Sequence, residues 1–207
     1  MLTSEIITKF EVYVDDGSEL SPIEELDLAN KIYQQVCSYR PWEFLKKTHS
    51  GVIVNGQIIL PGDFAYMSNN YQSTDSNVSQ ETVTSPKVIF IGTNLTPYRL
   101  VNFSDRRQYA NQNVCYIDPS DSKIKFIVTP TETTYEFDYI KVPTNLTVTT
   151  SPIFPARFHD IIVHGMASED YMIQQFDKAR SYANENQAKY TSILKDMGYA
   201  NAMSQFN

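Results

Sequence analysis

The side chains best suited to metal chemistry lie in the last third of the chain. His159 and His164 are followed by the acidic pair Glu169 and Asp170. Two histidines share a metal ion from one helix when they stand about four residues apart. These two are five residues apart, so an α-helix turns them away from each other by roughly 140°. We interpret both as polar positions on a packed helix, and we predict that the protein holds no metal and no cofactor.

Residues 15–19 (DDGSE) form a second acidic run, which could suggest calcium. An EF-hand loop places its ligands at spaced positions over about twelve residues and ends on a glutamate. The run does not continue with that spacing. It is therefore predicted to be a turn between two helices.

The sequence carries none of the short motifs that mark the common enzyme classes. It lacks a phosphate-binding loop, a dinucleotide fingerprint, a Gly-x-Ser-x-Gly elbow, a Cys-x-x-Cys pair and a His-Glu-x-x-His helix. We predict that the protein is not an enzyme. A hydrolase built on an unrecognised pair of aspartates or glutamates is the alternative.

Tyrosine is abundant, with 14 residues among 207, and could form a site of another kind. Tyrosine-rich β-surfaces can stack on sugars or bases, and tyrosine is also enriched at protein interfaces. A carbohydrate- or receptor-binding module that uses these residues and a polar loop is therefore the alternative function. Most of the candidates lie in strand patterns, where cross-strand packing is the expected role. They are Tyr66, Tyr71, Tyr98, Tyr109, Tyr116, Tyr135 and Tyr139.

Composition and charge limit the class of protein. Hydrophobic residues make up 42% of the chain, which excludes a disordered chain, and its length suits one core with at most a small subdomain. The net charge is −7, and basic residues are adjacent only at Lys46-Lys47 and Arg106-Arg107. We interpret both pairs as solvated loop charges rather than as a nucleic-acid site. An acidic surface repels phosphate and lets DNA slide past.

The cysteines and the apolar runs of the sequence indicate the compartment in which the protein is found. Cys37 and Cys115 lie far apart inside apolar patterns, so we expect buried free thiols and a reducing compartment. No apolar run approaches the roughly 20 residues of a membrane span, and the first residues show no export signal. We expect a chain without a membrane partner, kept in a cytoplasm or carried out of one inside a particle.

Helix signals occur at both ends of the chain. Residues 3–14 are weakly amphipathic, and a stronger start follows at Ser21, with Pro22 at the first helical position and Glu24 completing a capping box. This second helix is predicted to end just before Pro41.

Two further helices are predicted over residues 156–176 and 178–197, with Gly198 as a C-terminal cap. The first of them is apolar over most of its circumference, which is typical of the most buried helix in a bundle. Gly165 on this helix would let a neighbouring helix approach closely. The aromatic residues expected to be buried where the helices meet are Trp42, Phe44 and Phe158.

The middle of the chain alternates apolar and polar residues, as strands do. Asn55-Gly56, between two short apolar runs, is a strong hairpin signal. A second hairpin is predicted over residues 114–128 and a further strand over 135–142. Together these strands predict an antiparallel meander with one packed face.

A polar segment separates the two predicted hairpins. Thirteen of the eighteen residues 68–85 are Ser, Thr, Asn or Gln. Such a segment buries too little apolar surface to offset the entropy of its own ordering. It is either a surface excursion or a segment that orders against a partner.

These signals predict an α+β fold with two domains. Residues 1–48 and 144–207 would form a helical bundle from the N- and C-terminal helices. Residues 49–143 would form an inserted antiparallel β-rich module with a long polar loop at 66–86. The basis is the change from helical to alternating periodicity and back.

The order of short segments along the chain resembles that of a known family. The segments are residues 19–26 (ELSPIEEL), 29–37 (ANKIYQQVC), 40–45 (RPWEFL), 60–64 (LPGDF), 138–143 (DYIKVP) and 154–167 (FPARFHDIIVHGMA). They resemble the head-to-tail adaptor, or connector, proteins of tailed bacteriophages, especially the tail tubular A, or gatekeeper, group. The likeness spans residues 1–197, and the polar insert of residues 68–85 is where this chain departs from it.

The resemblance implies a structural virion protein of the neck or tail, present in the host cytoplasm during assembly. Members of that family form a ring, a dodecamer, below the portal protein and offer a platform to the next tail or nozzle protein. They are not enzymes. The genome passes through the lumen of the ring during DNA ejection without sequence-specific binding.

The resemblance also suggests where such a ring joins its neighbours. Connectors of this kind grip the portal with the C-terminal helix and tail, here residues 198–207. The insert 68–85 and the loop 102–113 are expected to face a neighbouring subunit or the next tail component. The expected contact residues are Tyr71, Arg106, Arg107, Tyr190, Tyr199, Met203 and Phe206.

Overall fold

The computed structural model describes residues 1–14, 20–68, 87–174 and 178–204, with residues 203 and 204 described by their backbone only. The chain divides into two compact units. We call them the helical unit (Met1–Leu45 with Pro143–Asn207) and the sheet unit (Lys46–Val142). The described α-helices lie in the first and the described strands in the second. The predicted α+β class is confirmed.

Four α-helices and two short 3₁₀ helices are described in the helical unit. α2 begins as predicted, because the Ser21 backbone N–H donates to Glu24 Oε2 at 2.8 Å and the Ser21 hydroxyl accepts from the Glu24 N–H at 3.5 Å. The α-helices are α1 (Thr3–Tyr13), α2 (Pro22–Ser38), α3 (Asp160–Ile173) and α4 (Ala179–Ser204), and the 3₁₀ helices are Glu43–Leu45 and Ala156–Phe158.

α3 packs against each of the other three helices. An ideal Cβ on Gly165 would stand 2.5 Å from Ile32 Cγ2 on α2, which confirms that this glycine permits close approach. On the other side, the Ser168 hydroxyl donates to the Ala183 carbonyl of α4 at 3.1 Å. α3 therefore has small residues where its neighbours are nearest. The bundle geometry itself stays a prediction.

α4 is longer than the sequence predicts. It continues through Gly198 and ends at Ser204, so the assignment of Gly198 as a helix cap is wrong. Glycine is needed at residue 198 for a different reason, because an ideal Cβ there would stand 2.8 Å from Arg40 Nη1. The glycine makes room for a guanidinium group against the helix. Most of the predicted tail, residues 198–207, is therefore helical.

Three aromatic residues were predicted to be buried where the helices meet, and the prediction is confirmed for two of them. Trp42 is fully buried, and its Nε1–H donates to the Val36 carbonyl at 2.7 Å. Phe158 is buried as well. Phe44 stacks on Trp42, with ring centroids 5.5 Å apart, but it is only half-buried, which corrects the prediction. Its outer side lines a cavity described below.

The sheet unit contains one eight-stranded sheet with the strand order β1-β8-β4-β5-β6-β7-β2, and β3 also pairs with β8. Ten residues on its inner side, among them Ile58, Cys115 and Phe137, form one buried cluster. The strands are β1 (Lys46–Val52), β2 (Gln57–Ile59), β3 (Phe64–Met67), β4 (Val88–Ile91), β5 (Thr96–Val101), β6 (Val114–Asp118), β7 (Lys123–Phe126) and β8 (Thr134–Lys141).

The pairing of the strands corrects two predictions. The β6–β7 hairpin is confirmed, but β8 pairs with β1, β3 and β4 rather than with β7, so the meander is wrong. β5 and β6 run parallel, so the module is not purely antiparallel. The reason is the connection at residues 102–113, because a dozen residues are enough to return the chain to the same end of the sheet.

Asn55 and Gly56 form the predicted turn, with φ angles of 53° and 69°. The flanking segments do not continue as a paired hairpin. They share only the bridge between Val54 and Gln57, while β1 pairs with β8 and β2 with β7. The turn is a local property of the sequence, whereas the choice of strand partner is not.

Both cysteines are buried free thiols, as predicted. Burial raises the pKa of the Cys115 thiol well above its ordinary range. In the part of the chain that the structure describes, no helix combines the length and the apolarity that a membrane span requires.

Candidate interaction surfaces

The two histidines of the C-terminal third have separate structural partners. His159 is buried, its Nε2–H donates to the Phe154 carbonyl at 2.9 Å, and its Nδ1 lies 3.2 Å from the Met1 ammonium. Burial lowers its pKa. His164 Nδ1 lies 2.9 Å from Asn186 Oδ1 on α4. Among the described residues, no group of three His, Cys, Asp or Glu side chains is placed to hold a metal ion.

Three acidic residues, one each on α1, α2 and α3, influence one another electrostatically. Glu25 on α2 is 4% exposed and Asp170 on α3 is also buried. Burial, the neighbouring Glu11 of α1 and then Asp170 raise the pKa of Glu25. Glu25 also shares a side-chain hydrogen bond with Glu11. This arrangement joins helices, and it is buried rather than displayed to a substrate.

Two of the predicted contact residues are described on α4. Tyr199 is 72% exposed in the last turns of the helix. Tyr190 is half-buried, and burial raises its pKa, with a further contribution from Tyr39. Met203 is described by its backbone, within α4, and Phe206 lies outside the described residues. Tyr199 is thus available to a partner, whereas part of the Tyr190 side chain is packed inside the protein.

A cavity of about 300 Å³ lies beside the same turns of α4. Its lining residues on α4 are Met197, Ala200 and Asn201. Because each residue of an α-helix turns by about 100°, Tyr199 points about 160° away from both Met197 and Asn201. The end of α4 therefore has two faces, one displaying a tyrosine and one bordering a cavity. The other lining residues are Glu43, Phe44, Pro155, Arg157 and Phe158.

The cavity has an apolar interior and polar groups around it. Its apolar lining includes Phe44, Phe158 and Met197. The Arg157 guanidinium carbon lies 4.6 Å from the centroid of the Phe158 ring, which places a positive charge beside the cavity. On the other side, Asn201 Oδ1 accepts a hydrogen bond from the Glu43 backbone N–H at 2.8 Å. With Glu43 and Arg157 both in the lining, this arrangement suits an apolar side chain accompanied by an uncharged hydrogen-bond acceptor for Arg157.

The predicted arginine pair lies in the sheet unit, in a 3₁₀ helix spanning Arg106–Tyr109. The Arg106 guanidinium carbon lies 3.6 Å from the Phe103 ring centroid and 5.7 Å from that of Tyr116. Close by, the guanidinium carbon of Arg99 lies 5.0 Å from the Tyr109 ring centroid. We call Arg99, Phe103, Arg106, Tyr109 and Tyr116 the arginine–aromatic cluster.

Lysine and arginine are used differently in the described part of the chain. Seven of the eleven lysines pair with carboxylates, whereas none of the six arginines lies within 4.0 Å of a described carboxylate. Arg106 donates from Nη1 to the Phe103 carbonyl, and its guanidinium has further N–H groups for a partner. Arginine and tyrosine are both enriched at protein interfaces. The lysines are Lys9, Lys31, Lys46, Lys47, Lys123, Lys125 and Lys189.

The predicted contact residues are thus distributed over both units. Tyr190 and Tyr199 lie on α4, Arg106 and Arg107 lie in the 3₁₀ helix of the sheet unit, and Tyr71 falls outside the described residues. Sequence reasoning missed the cavity, because its lining comes from three separate segments. It also missed the rings beside Arg106, although Phe103 lies three residues before it.

One protein family matches almost the whole chain. Residues 1–206 match the model of the SU10 adaptor protein family. No curated protein matches the chain closely enough to count as a relative. The match spans both units and all of the surfaces described above.

Proposed function

The chain belongs to the SU10 adaptor protein family, and from this premise we propose that it is a head-to-tail connector of a phage particle. In this role it forms a ring that joins the portal protein to the next tail or nozzle protein. It is a structural protein and not an enzyme. The observation that carries the proposal is the family match over both units.

The end of α4 is proposed as the portal contact. Tyr199 is exposed there, and a tyrosine offers a partner both a large apolar ring and a hydroxyl. The helix continues to Ser204, so the contact is presented on a rigid element. Met203 and Phe206 extend the same proposed contact, and Tyr190 supports it from the preceding turns.

The arginine–aromatic cluster is proposed as a contact with a neighbouring subunit or with the next tail component. Its guanidinium groups have rings beneath them and no described carboxylate partner. Arg107, exposed beside it, and the insert containing Tyr71 belong to the same proposed contact. Carboxylates of an acidic partner would complete it.

The net charge suits a conduit for DNA. At −7 for each chain, a ring of twelve copies repels the phosphates of a genome that passes through its lumen. We propose a dodecamer, located in the neck or tail of the virion and in the host cytoplasm during assembly. Assignment to the tail tubular, or gatekeeper, group is part of the same proposal.

The alternative of a carbohydrate- or receptor-binding module loses much of its basis. Tyr98, Tyr135 and Tyr139 are buried, and the Tyr139 hydroxyl donates to Asp63 at 2.7 Å. Buried rings cannot stack on a sugar. These three tyrosines pack across strands, as their alternation in the sequence predicts.

The test of the proposed function is the position of the protein in the particle. Cryo-electron microscopy of virions should show a ring of this chain between the portal and the tail. In pull-downs with the portal protein, Tyr199→Ser should reduce binding, whereas Val12→Ser, which is exposed to the same extent on α1, should not. A chain found in the capsid shell or in a tail fibre would overturn the proposal.

A further inference from the structure

The cavity beside α4 is large enough to take an occupant. Its volume of about 300 Å³ is at the lower end of the range for ligand pockets, so it suits one or two side chains. The lining is mostly apolar and includes one basic residue, Arg157, and one acidic residue, Glu43. An occupant that fits this lining brings apolar side chains together with uncharged acceptors for Arg157, such as carbonyl oxygens.

Such an occupant is displayed by this chain itself, at the end of α3. Met172 and Ile173 are 67% and 71% exposed, although both are large apolar residues. They form the last turn of α3, which contains no basic residue. The C-terminus of a helix carries partial negative charge on its carbonyl groups, and a nearby cation stabilises it. We call Met172 and Ile173 the anchor.

The anchor of one copy cannot reach the cavity of the same copy. The end of α3 lies beside the start of α4, since the Tyr171 and Tyr182 rings are 5.4 Å apart. The cavity borders Ala200, eighteen residues further along the same straight element. At about 1.5 Å per residue, this is a separation of roughly 27 Å.

We propose that the anchor of one copy inserts into the cavity of the next copy, so that the helical units join head to tail. Met172 and Ile173 contact Phe44, Phe158 and Met197, and Arg157 donates to the carbonyl groups at the end of α3. Two different surfaces meet in this contact, which makes it heterologous, and a heterologous contact that closes on itself gives a ring. That the contacts close into a ring rests on the proposed function. The contact uses the cavity face of α4 and leaves the Tyr199 face free for the portal.

The contact is tested with cysteine pairs in the full chain. Cys37 and Cys115 are buried and give little background. Ile173→Cys and Ala200→Cys proteins are mixed and treated with a short bismaleimide cross-linker, both free in solution and in assembled particles. We expect a cross-linked dimer from the mixture and none from either protein alone. A chain with both substitutions should give a ladder of multimers.

The matched control replaces Ile173→Cys by Ile23→Cys, since Ile23 is 74% exposed but lies on the first turn of α2. This control should give no cross-link with Ala200→Cys. A dimer from Ile173→Cys alone would show that like surfaces meet, and it would overturn the inference. So would the absence of the mixed dimer in both settings.

Failure of the proposed function would give a different result. Particles with this chain between portal and tail but without the mixed cross-link overturn only the anchor contact. A mixed cross-link in solution, with the chain absent from the neck of the particle, overturns only the connector role.

Discussion

Gly165 of α3 lies so close to Ile32 of α2 that an ideal Cβ on residue 165 would stand 2.5 Å from Ile32 Cγ2. Ile32 is 2% exposed, so its side chain has little room to move away. Overpacking by Gly165→Ala should cost about 1–3 kcal/mol. Alanine gains roughly 1 kcal/mol over glycine inside a helix, so we expect a net destabilisation of the helical unit of up to about 2 kcal/mol. Urea denaturation followed by circular dichroism measures it.

The control for this prediction is Gly62→Ala, because an ideal Cβ on Gly62 meets no atom within 4 Å. In an Ile32→Ala background, which lacks Cγ2, Gly165→Ala should cost less than it does in the wild type. A Gly165→Ala protein as stable as the wild type would show that the two helices can separate without cost.

Trp42 is expected to be the most sensitive single position of the helical unit. The ring is fully buried, and its N–H donates to the Val36 carbonyl. Trp42→Ala should therefore cost about 3–5 kcal/mol in the free energy of unfolding. Tyr39→Ala, at a neighbouring exposed ring, should cost far less. Equal midpoints for the two variants would contradict the structural role of Trp42.

His159 is expected to make stability depend on pH. Burial lowers its pKa in the folded state, so below about pH 6.5 the unfolded state binds more protons than the folded state. The free energy of unfolding should therefore decrease as the pH falls through that region. His159→Gln should flatten this dependence. Parallel curves for wild type and His159→Gln would refute the prediction.

Two adjacent glutamates are expected to respond with opposite signs. Burial and Glu11 raise the pKa of Glu25, so ionising it at neutral pH destabilises the fold. Glu25→Gln should raise the denaturation midpoint at pH 7, and the gain should shrink as the pH falls toward about 4.5. Hydrogen bonds from the backbone and hydroxyl of Ser21 lower the pKa of Glu24, so Glu24→Gln should lower the midpoint at pH 7. Shifts of the same sign would contradict the assignment.

Local signals account for what the sequence predicts well. The capping box at Ser21 and the Asn55-Gly56 turn depend on residues within one or two turns of each other, and both form. The close packing at Gly165 was also predictable, since a small residue on an apolar helix marks a near neighbour. In each case the deciding contacts are short in sequence or follow from residue size.

Long-range contacts account for what the sequence does not predict. Alternation identifies β8 as a strand but not its partners, because β1, β3 and β4 precede it by tens of residues. Gly198 carries the signal of a helix end, and only the position of Arg40 shows that the helix passes through it. Tyr199 was proposed as a contact residue and is exposed, but the cavity behind it joins segments that no local pattern connects.

The pairing of lysines with carboxylates bears on the proposal that a genome passes through a ring of this protein. Adhesion to DNA gains free energy when cationic side chains displace the counterions condensed on phosphates. Here seven lysines are already held by carboxylates, such as Lys125 by Asp118 at 2.7 Å, so a phosphate must compete for each of them. In the proposed conduit, these seven lysines would therefore release few counterions as the polyanion advances, and they would exert little electrostatic friction on it.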